Sequence, residues 1–191
     1  MRTVGALILA AGDSTRFGEP KQFLEFEGET LLRRIAKAAH DAGCAPIVVV
    51  AGNSADRISA ELHDLPVHVV QNAEWRCGIG TSIKCGLAHL RNGVSAIVIL
   101  ASDQPFVSVE AIRKICGEHR PIVASGYAET IGIPALFDSR YFDALASLPD
   151  TTGAKSLIET HAADVAVVPL TEGAIDIDTR ADYEALGRRL S

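Results

Sequence analysis

Two groups of residues in this chain are spaced for handling anions and cations. The first lies in Ala10-Ala11-Gly12-Asp13-Ser14-Thr15-Arg16-Phe17-Gly18-Glu19-Pro20-Lys21, directly after a short apolar run. Gly12 and Gly18 permit backbone conformations in which successive N–H groups face one anion, and Arg16 and Lys21 bring fixed positive charge to a polyphosphate. The spacing is neither that of a P-loop nor that of the dinucleotide fingerprint G-x-G-x-x-G. Stripped of its charges, the same string would serve as a plain strand-to-helix loop. The second group is acidic. Asp103, in Ser102-Asp103-Gln104-Pro105, follows the apolar run 96–101 and is placed to hold a divalent cation, since magnesium shared with phosphate oxygens takes only one or two carboxylates. It lies too far ahead of the helix expected from about residue 109 to cap it, and Ser108 fills that position.

Near the C-terminus, Asp176 and Asp178 alternate in an extended pattern that puts both carboxylates on one face, where they repel unless a cation or a cap relieves them. Asp178 or Thr179 would also serve as the N-cap of a final helix. A second glycine-bearing string, Asn72-Ala73-Glu74-Trp75-Arg76-Cys77-Gly78-Ile79-Gly80-Thr81-Ser82, precedes a helical pattern, so Thr81 and Ser82 would offer hydroxyls at a helix N-terminus, as caps or as anion ligands. Trp75, the one tryptophan, suits packing at least as well as stacking on a ligand. None of the six histidines is paired with a Cys or Ser nucleophile motif, which argues against acyl-enzyme chemistry.

The elements that must position these residues follow from hydrophobic patterning. Runs 4–10, 47–51 and 96–101 are short and wholly apolar, as strands covered on both faces are. Helical patterns at 30–42, 56–62 and 81–90 alternate with them, which predicts βαβ units and a mostly parallel sheet. A helix at 109–116 and a buried strand at 121–125 continue the series. The segment 127–137 contains Gly132 and Pro134 and reads as an antiparallel or edge element, because proline cannot donate to a central ladder. Segments 138–148 and 153–161 read as helices, 165–169 as a strand and 179–190 as a closing helix. The fold class is therefore α/β, a single-domain, Rossmann-like three-layer fold with a mostly parallel sheet and a small antiparallel or edge element in the second half. Open sheets of this kind place ligands beyond the carboxyl ends of their strands, where both groups of residues fall.

Composition bounds the partners. The 191 residues are 48% hydrophobic and 22% charged, as in an ordinary globular chain, so one domain spanning 1–191 is expected. With 18 basic and 24 acidic side chains the net charge is −6, which argues against a nucleic acid polymer as partner. Cys44, Cys77, Cys85 and Cys116 form no C-x-x-C pair, which speaks against a zinc ribbon and for small apolar residues of a cytoplasmic protein. The apolar start is too short to span a membrane and lacks a signal-peptide cleavage site.

The string LAAGDSTRFGEPK, residues 9–21, resembles the LAAGxSxRxGxPK signature of the MobA-like nucleotidyltransferases, and most of all their molybdenum cofactor cytidylyltransferase branch. Three further strings follow in family order. Residues 72–82 resemble NPxWxxGMGxSL with Ala73 for the proline and Ile79 for the methionine. SDQP resembles CDQP with Ser102 for the cysteine. DIDTRADY resembles DIDTPEDY with Arg180 for the proline. The resemblance implies a nucleotide-binding half, 1–105, and an acceptor-binding half, 106–191. It implies nucleotide contacts from Leu9, Ala10, Ala11, Gly12, Ser14, Arg16, Lys21, Asn72, Gly80, Ser82 and Asp103. Arg16, Lys21 and Asp103 would be catalytic, and Mg²⁺ or Mn²⁺ would be held by Asp103 and Asp178, with Asp176 as second choice. Ala11 stands where guanylyl-transferring relatives carry a second glycine, which points to CTP. Residues 132–137 and 150–155 resemble the acceptor segments GHPVLF and GDxGAR, with Ile133 in place of the histidine, so the acceptor's identity stays open. The expected reaction moves a nucleoside monophosphate from an NTP to a molybdopterin-type acceptor and releases pyrophosphate. Transient contact with a molybdenum enzyme is implied. Transfer to a sugar- or polyol-phosphate, and a non-catalytic cofactor carrier, are the alternatives.

Overall fold

The computed structural model describes residues 2–12, 20–127, 130–170 and 183. Four strands, β1 (Val4–Ala10), β4 (Ile47–Ala51), β5 (Val67–Gln71) and β6 (Ala96–Ala101), run parallel, with β1 between β4 and β6. Together with β7 (Ile122–Tyr127), β8 (Thr130–Asp138) and β9 (Val165–Pro169) they form one seven-stranded sheet in the order β5-β4-β1-β6-β8-β7-β9. A two-stranded hairpin, β2 (Glu25–Phe26) and β3 (Glu29–Thr30), stands apart and turns through Glu27 and Gly28, both at positive φ. The sequence pattern passes over this hairpin because two-residue strands carry no readable period. It also passes over β5, an edge strand in which His68 and Gln71 interrupt the apolar run.

The wholly apolar strands are explained by helices on both faces. Along β1, Ala6, Ile8 and Ala10 join one core cluster, with α1 (Leu31–Asp41), α2 (Ala55–Glu61) and α4 (Val109–Gly117). Leu7 joins the other, with α3 (Ile79–Leu90), α5 (Phe142–Ala146) and α6 (Lys155–Thr160). The period of two along the strand thus feeds two separate cores, and the three layers expected from the sequence are present. Thr30 caps α1 by accepting from Arg33 N at 3.2 Å, and Ser108 caps α4 by accepting from Ala111 N at 3.2 Å. Among the described residues no helix is long and apolar enough to cross a membrane.

Of the two readings open for residues 127–137, antiparallel or edge, the first holds. The segment around Pro134 is antiparallel, but it is not an edge: β8 lies inside the sheet, paired with both β6 and β7. The proline is tolerated there because the register with β7 jumps from Ala124↔Ala135 to Ser125↔Gly132, leaving Ile133 and Pro134 in a bulge with no ladder bond for the proline to lose. The bulge carbonyls are satisfied by side chains instead. Ser125 Oγ donates to Pro134 O at 2.7 Å, Tyr127 Oη to Ile133 O at 2.7 Å and Gln104 Nε2 to Ile133 O at 3.1 Å. The true edge on that side is β9, which tolerates Pro169 at its end.

Helix α3 lies close on the sheet because Gly86 has no side chain: a Cβ there would collide with the buried Leu7 side chain and lie 2.8 Å from Val50 Cγ2. Replacing Gly86 with Val should therefore lower stability by about 1–3 kcal/mol through overpacking, read as a fall in the urea midpoint with little change in m-value.

Candidate active site

The C-terminal ends of β1 and β6 leave the sheet side by side. Leu9 pairs with Ala101, and Ser102 N donates to Leu9 O at 3.2 Å, so the glycine loop after β1 and the SDQP segment after β6 emerge together. Between them opens a cleft of about 270 Å³ whose lining includes Leu9, Ala11, Gly12, Lys21, Ser82 and Asp103. Six of the residues expected to contact a nucleotide are thereby gathered in one place from three separate stretches of chain. Ala10 is buried behind the wall, and Asn72 and Gly80 are buried beneath it. Ser14, Arg16, Asp176 and Asp178 lie outside the described residues.

Lys21 opens a 3-10 turn, Lys21–Phe23, whose position is set by Gln22. That side chain is buried, and its Nε2 donates to Ala10 O at 3.4 Å, tying the far end of the glycine loop back to the end of β1. Sequence reasoning did not single out Gln22, because nothing marks a glutamine in a polar loop as buried. Its neighbour Phe23 carries the Arg57 guanidinium 3.7 Å from its ring centroid, which covers the outer side of the turn.

Asn72 organises the second glycine string. Its amide donates to Thr81 Oγ1 at 2.9 Å and Ser82 Oγ at 3.0 Å, and its Oδ1 accepts from Glu74 N at 3.0 Å. Thr81 Oγ1 in turn donates toward Gly78 O at 2.7 Å and Glu74 O at 3.1 Å. Neither Thr81 nor Ser82 caps α3: the helix begins two residues before Thr81, and its N-cap is Gly78, at φ +134°. Only glycine sits easily there, because a Cβ would collide with Asp150 O and approach Thr151 Cα to 2.7 Å. Gly80 N donates to Asp150 O at 2.8 Å, and the Lys84 ammonium pairs with the Asp150 carboxylate. The 72–82 string is thereby bolted to the 149–153 loop, joining the segment thought to hold the nucleotide to one thought to hold the acceptor.

Trp75 packs on the second core cluster, as one of its two readings had it, and also lines the cleft. The close approach depends on Gly52, where a Cβ would come within 3.0 Å of the indole, and the Arg76 guanidinium lies 4.5 Å from the ring centroid. Ile79 and Ile133 add apolar side chains to the lining of the same cleft. Ile79 is 44% exposed. The orientation of Ile133 follows from the bulge, because its carbonyl is held by Gln104 and Tyr127 together. Tyr183, the one described residue of the C-terminal string, donates to Glu25 O at 2.7 Å and packs with Leu24, Phe26, Leu31 and Phe106. That contact places Tyr183 itself beside Phe106, three residues after Asp103.

Among the described residues no group of three His, Cys, Asp or Glu could enclose a metal ion. The cleft offers one described carboxylate, Asp103, a donor set that suits a cation completed by phosphate oxygens and water rather than one caged by protein.

Residues 6–165 match the family model of the MobA-like NTP transferase domain. The chain belongs to the MobA-like NTP transferase family. Within the family's reach, it is 30% identical to Rv0371c of Mycobacterium tuberculosis H37Rv, with a TM-score of 0.82 over 97% of each chain. A structure of Rv0371c in complex with manganese superposes with a TM-score of 0.79 at 29% identity, covering 97% of this chain and 98% of that one. The chain is 33% identical over 121 residues, 62% of its length, to nicotine blue oxidoreductase of Paenarthrobacter nicotinovorans, and spans 58% of that relative. It is 29% identical over 199 residues to the purine catabolism protein PucB of Bacillus subtilis, covering 97% of this chain and 96% of that protein.

Replacing Asn72 with Ala would leave the buried Thr81 and Ser82 hydroxyls short of a donor and free the Glu74 amide. The variant should lose roughly 1–3 kcal/mol of stability, measured by chemical denaturation, and Asn72→Asp should not restore it, because a carboxylate cannot donate to either hydroxyl.

Proposed function

We propose that this MobA-like family member is a nucleotidyltransferase that moves a nucleoside monophosphate, CMP in the first place, from an NTP to a molybdopterin-type acceptor. The observation that carries the reading is that Lys21 and Asp103 line one cleft at the carboxyl ends of β1 and β6. An acceptor phosphate oxygen attacks the α-phosphorus in line, the bond to the β-phosphate oxygen breaks, and pyrophosphate leaves. No protein nucleophile is needed, so the contribution of the chain is positioning and charge.

Each residue has a physical role in this scheme. The amides around Ala11 and Gly12 face the triphosphate, Arg16 and Lys21 take up its charge, and Ser82 offers a hydroxyl to the same cleft. Asp103, with Asp178 and then Asp176 as its partner, would hold Mg²⁺ or Mn²⁺. That ion, when bound, neutralises phosphate charge and orients the leaving group. The manganese complex of the M. tuberculosis relative supports a divalent cation in the family. Ala11, in the place where guanylyl-transferring relatives have glycine, supports CTP. Trp75, Ile79 and Ile133 would cover the flat, apolar part of an acceptor. The reaction belongs in the cytoplasm, where NTPs are supplied, and delivery of the product would bring transient contact with a molybdenum enzyme.

The purified chain incubated with molybdopterin, Mg²⁺ and CTP, GTP or ATP in turn should release pyrophosphate fastest with CTP. Asp103→Ala should reduce that release by roughly a hundredfold or more while leaving the denaturation midpoint in place, and undiminished release would overturn the role given to Asp103. Tight molybdopterin binding without pyrophosphate from any nucleotide would make the chain a carrier. Consumption of a reductant without nucleotide turnover would move it toward the chemistry named for the P. nicotinovorans relative.

A further inference from the structure

The ladder between β6 and β8 stops at the nucleotide cleft. Their last pair is Ile99↔Ala135. The chain after β6 runs on to Asp103, the chain ahead of Ala135 carries Ile133, and both residues line the cleft. A side chain joins the two segments where the ladder no longer does: Gln104 Nε2 donates to Ile133 O at 3.1 Å. Gln104 is 6% exposed, and the sense of its amide is fixed by chemistry. A carbonyl only accepts, so the atom facing Ile133 O is the nitrogen, and Oε1 is turned elsewhere. Among the described residues this buried Oε1 has no hydrogen-bond partner.

Stability does not account for a glutamine here. Ile133 O already accepts from Tyr127 Oη at 2.7 Å, a bond that stays within the adjacent strands β7 and β8. A buried acceptor left without a donor lowers stability, and an apolar side chain of the same length would fill the space without one. What Gln104 adds is the link itself, from the residue next to Asp103 to the backbone of Ile133. We propose that Gln104 is a positioning residue for the acceptor, fixing the Ile133 side of the cleft relative to the Asp103 side. This role rests on the nucleotidyl transfer proposed above and names the residue that sets where its acceptor lies.

The reaction makes such a link useful. The attacking oxygen has to lie in line with the bond to the leaving pyrophosphate, and a small displacement of the acceptor costs rate or affinity. The bulge at Ile133 and Pro134 removes the regular ladder at this height and leaves the Ile133 carbonyl open to side-chain donors. Tyr127 ties that carbonyl to β7, and Gln104 ties it to the segment after β6. Held from two sides, Ile133 keeps one place in the cleft lining while the chain around it has no strand partner.

The test compares Gln104→Met, Gln104→Glu and Tyr127→Phe with the unaltered full chain, following pyrophosphate release from Mg²⁺, CTP and molybdopterin. Gln104→Met should unfold at the same urea midpoint or a higher one, yet raise the KM for molybdopterin at least ~10-fold while the KM for CTP changes less than ~2-fold. Tyr127→Phe keeps the link across the cleft and should raise the molybdopterin KM less than Gln104→Met does. Gln104→Glu can donate to Ile133 O only when protonated, and burial raises a carboxyl pKa. Its molybdopterin KM should therefore fall toward that of the unaltered chain as the pH is lowered, a recovery that Gln104→Met does not show. An unchanged molybdopterin KM in Gln104→Met, or an equal rise in both KM values with a lower midpoint, would overturn this role alone. An unaltered chain that releases no pyrophosphate would overturn the proposed function and this role with it.

Discussion

The structure depends on the burial of β1 from both sides. Its neighbours β4 and β6 are parallel to it, and its alternate side chains enter two different cores with no solvent exposure at Ala6, Leu7 or Ile8. A strand confined this way has one register, since a slip of one residue would exchange the side chains meant for the two cores. That register sets the height at which the chain leaves the sheet after Leu9 and after Ala101. Gly12, Lys21 and Asp103 share a cleft for that reason.

A second constraint operates where the regular ladder stops. The bulge at Ile133 and Pro134 leaves carbonyls inside a sheet with no strand to pair them, and an unpaired buried carbonyl costs energy comparable to a lost hydrogen bond. Ser125, Tyr127 and Gln104 supply the missing donors. The same repair aims Ile133 into the cleft, so a packing requirement and a recognition surface are met by one set of bonds. The 72–82 string shows the same economy. Asn72 satisfies the first turn of α3, and the missing side chains of Gly78 and Gly80 let that turn seat against the 149–153 loop.

Much of this frame was legible from residue patterns. The runs at 4–10, 47–51 and 96–101 match β1, β4 and β6, since an unbroken apolar run of five to seven residues has few other uses than a strand covered on both faces. The helices at α1 and α4 were equally readable, because Thr30 and Ser108 cap them by local bonds. The location of Asp103 at a strand end followed from the same runs. What could not be read is what depends on distant partners. Pro134 looked like an edge signal because the rule assumes a ladder bond that the bulge had already removed. Nothing local marks Gln22 and Gln104 as buried side chains that tie one segment to another.

By itself, then, the sequence determined the alternation of strand and helix, the family to which the chain belongs and the chemistry available at Lys21 and Asp103, because period, caps and motif spacing are local properties. Only the tertiary structure decided that β8 runs inside the sheet, that Ile79 and Ile133 line one cleft, and that Gly78 and Gly80 seat against the 149–153 loop. Each of these joins segments far apart in the chain, and such contacts are selected by the fit of whole layers rather than by any neighbour in sequence.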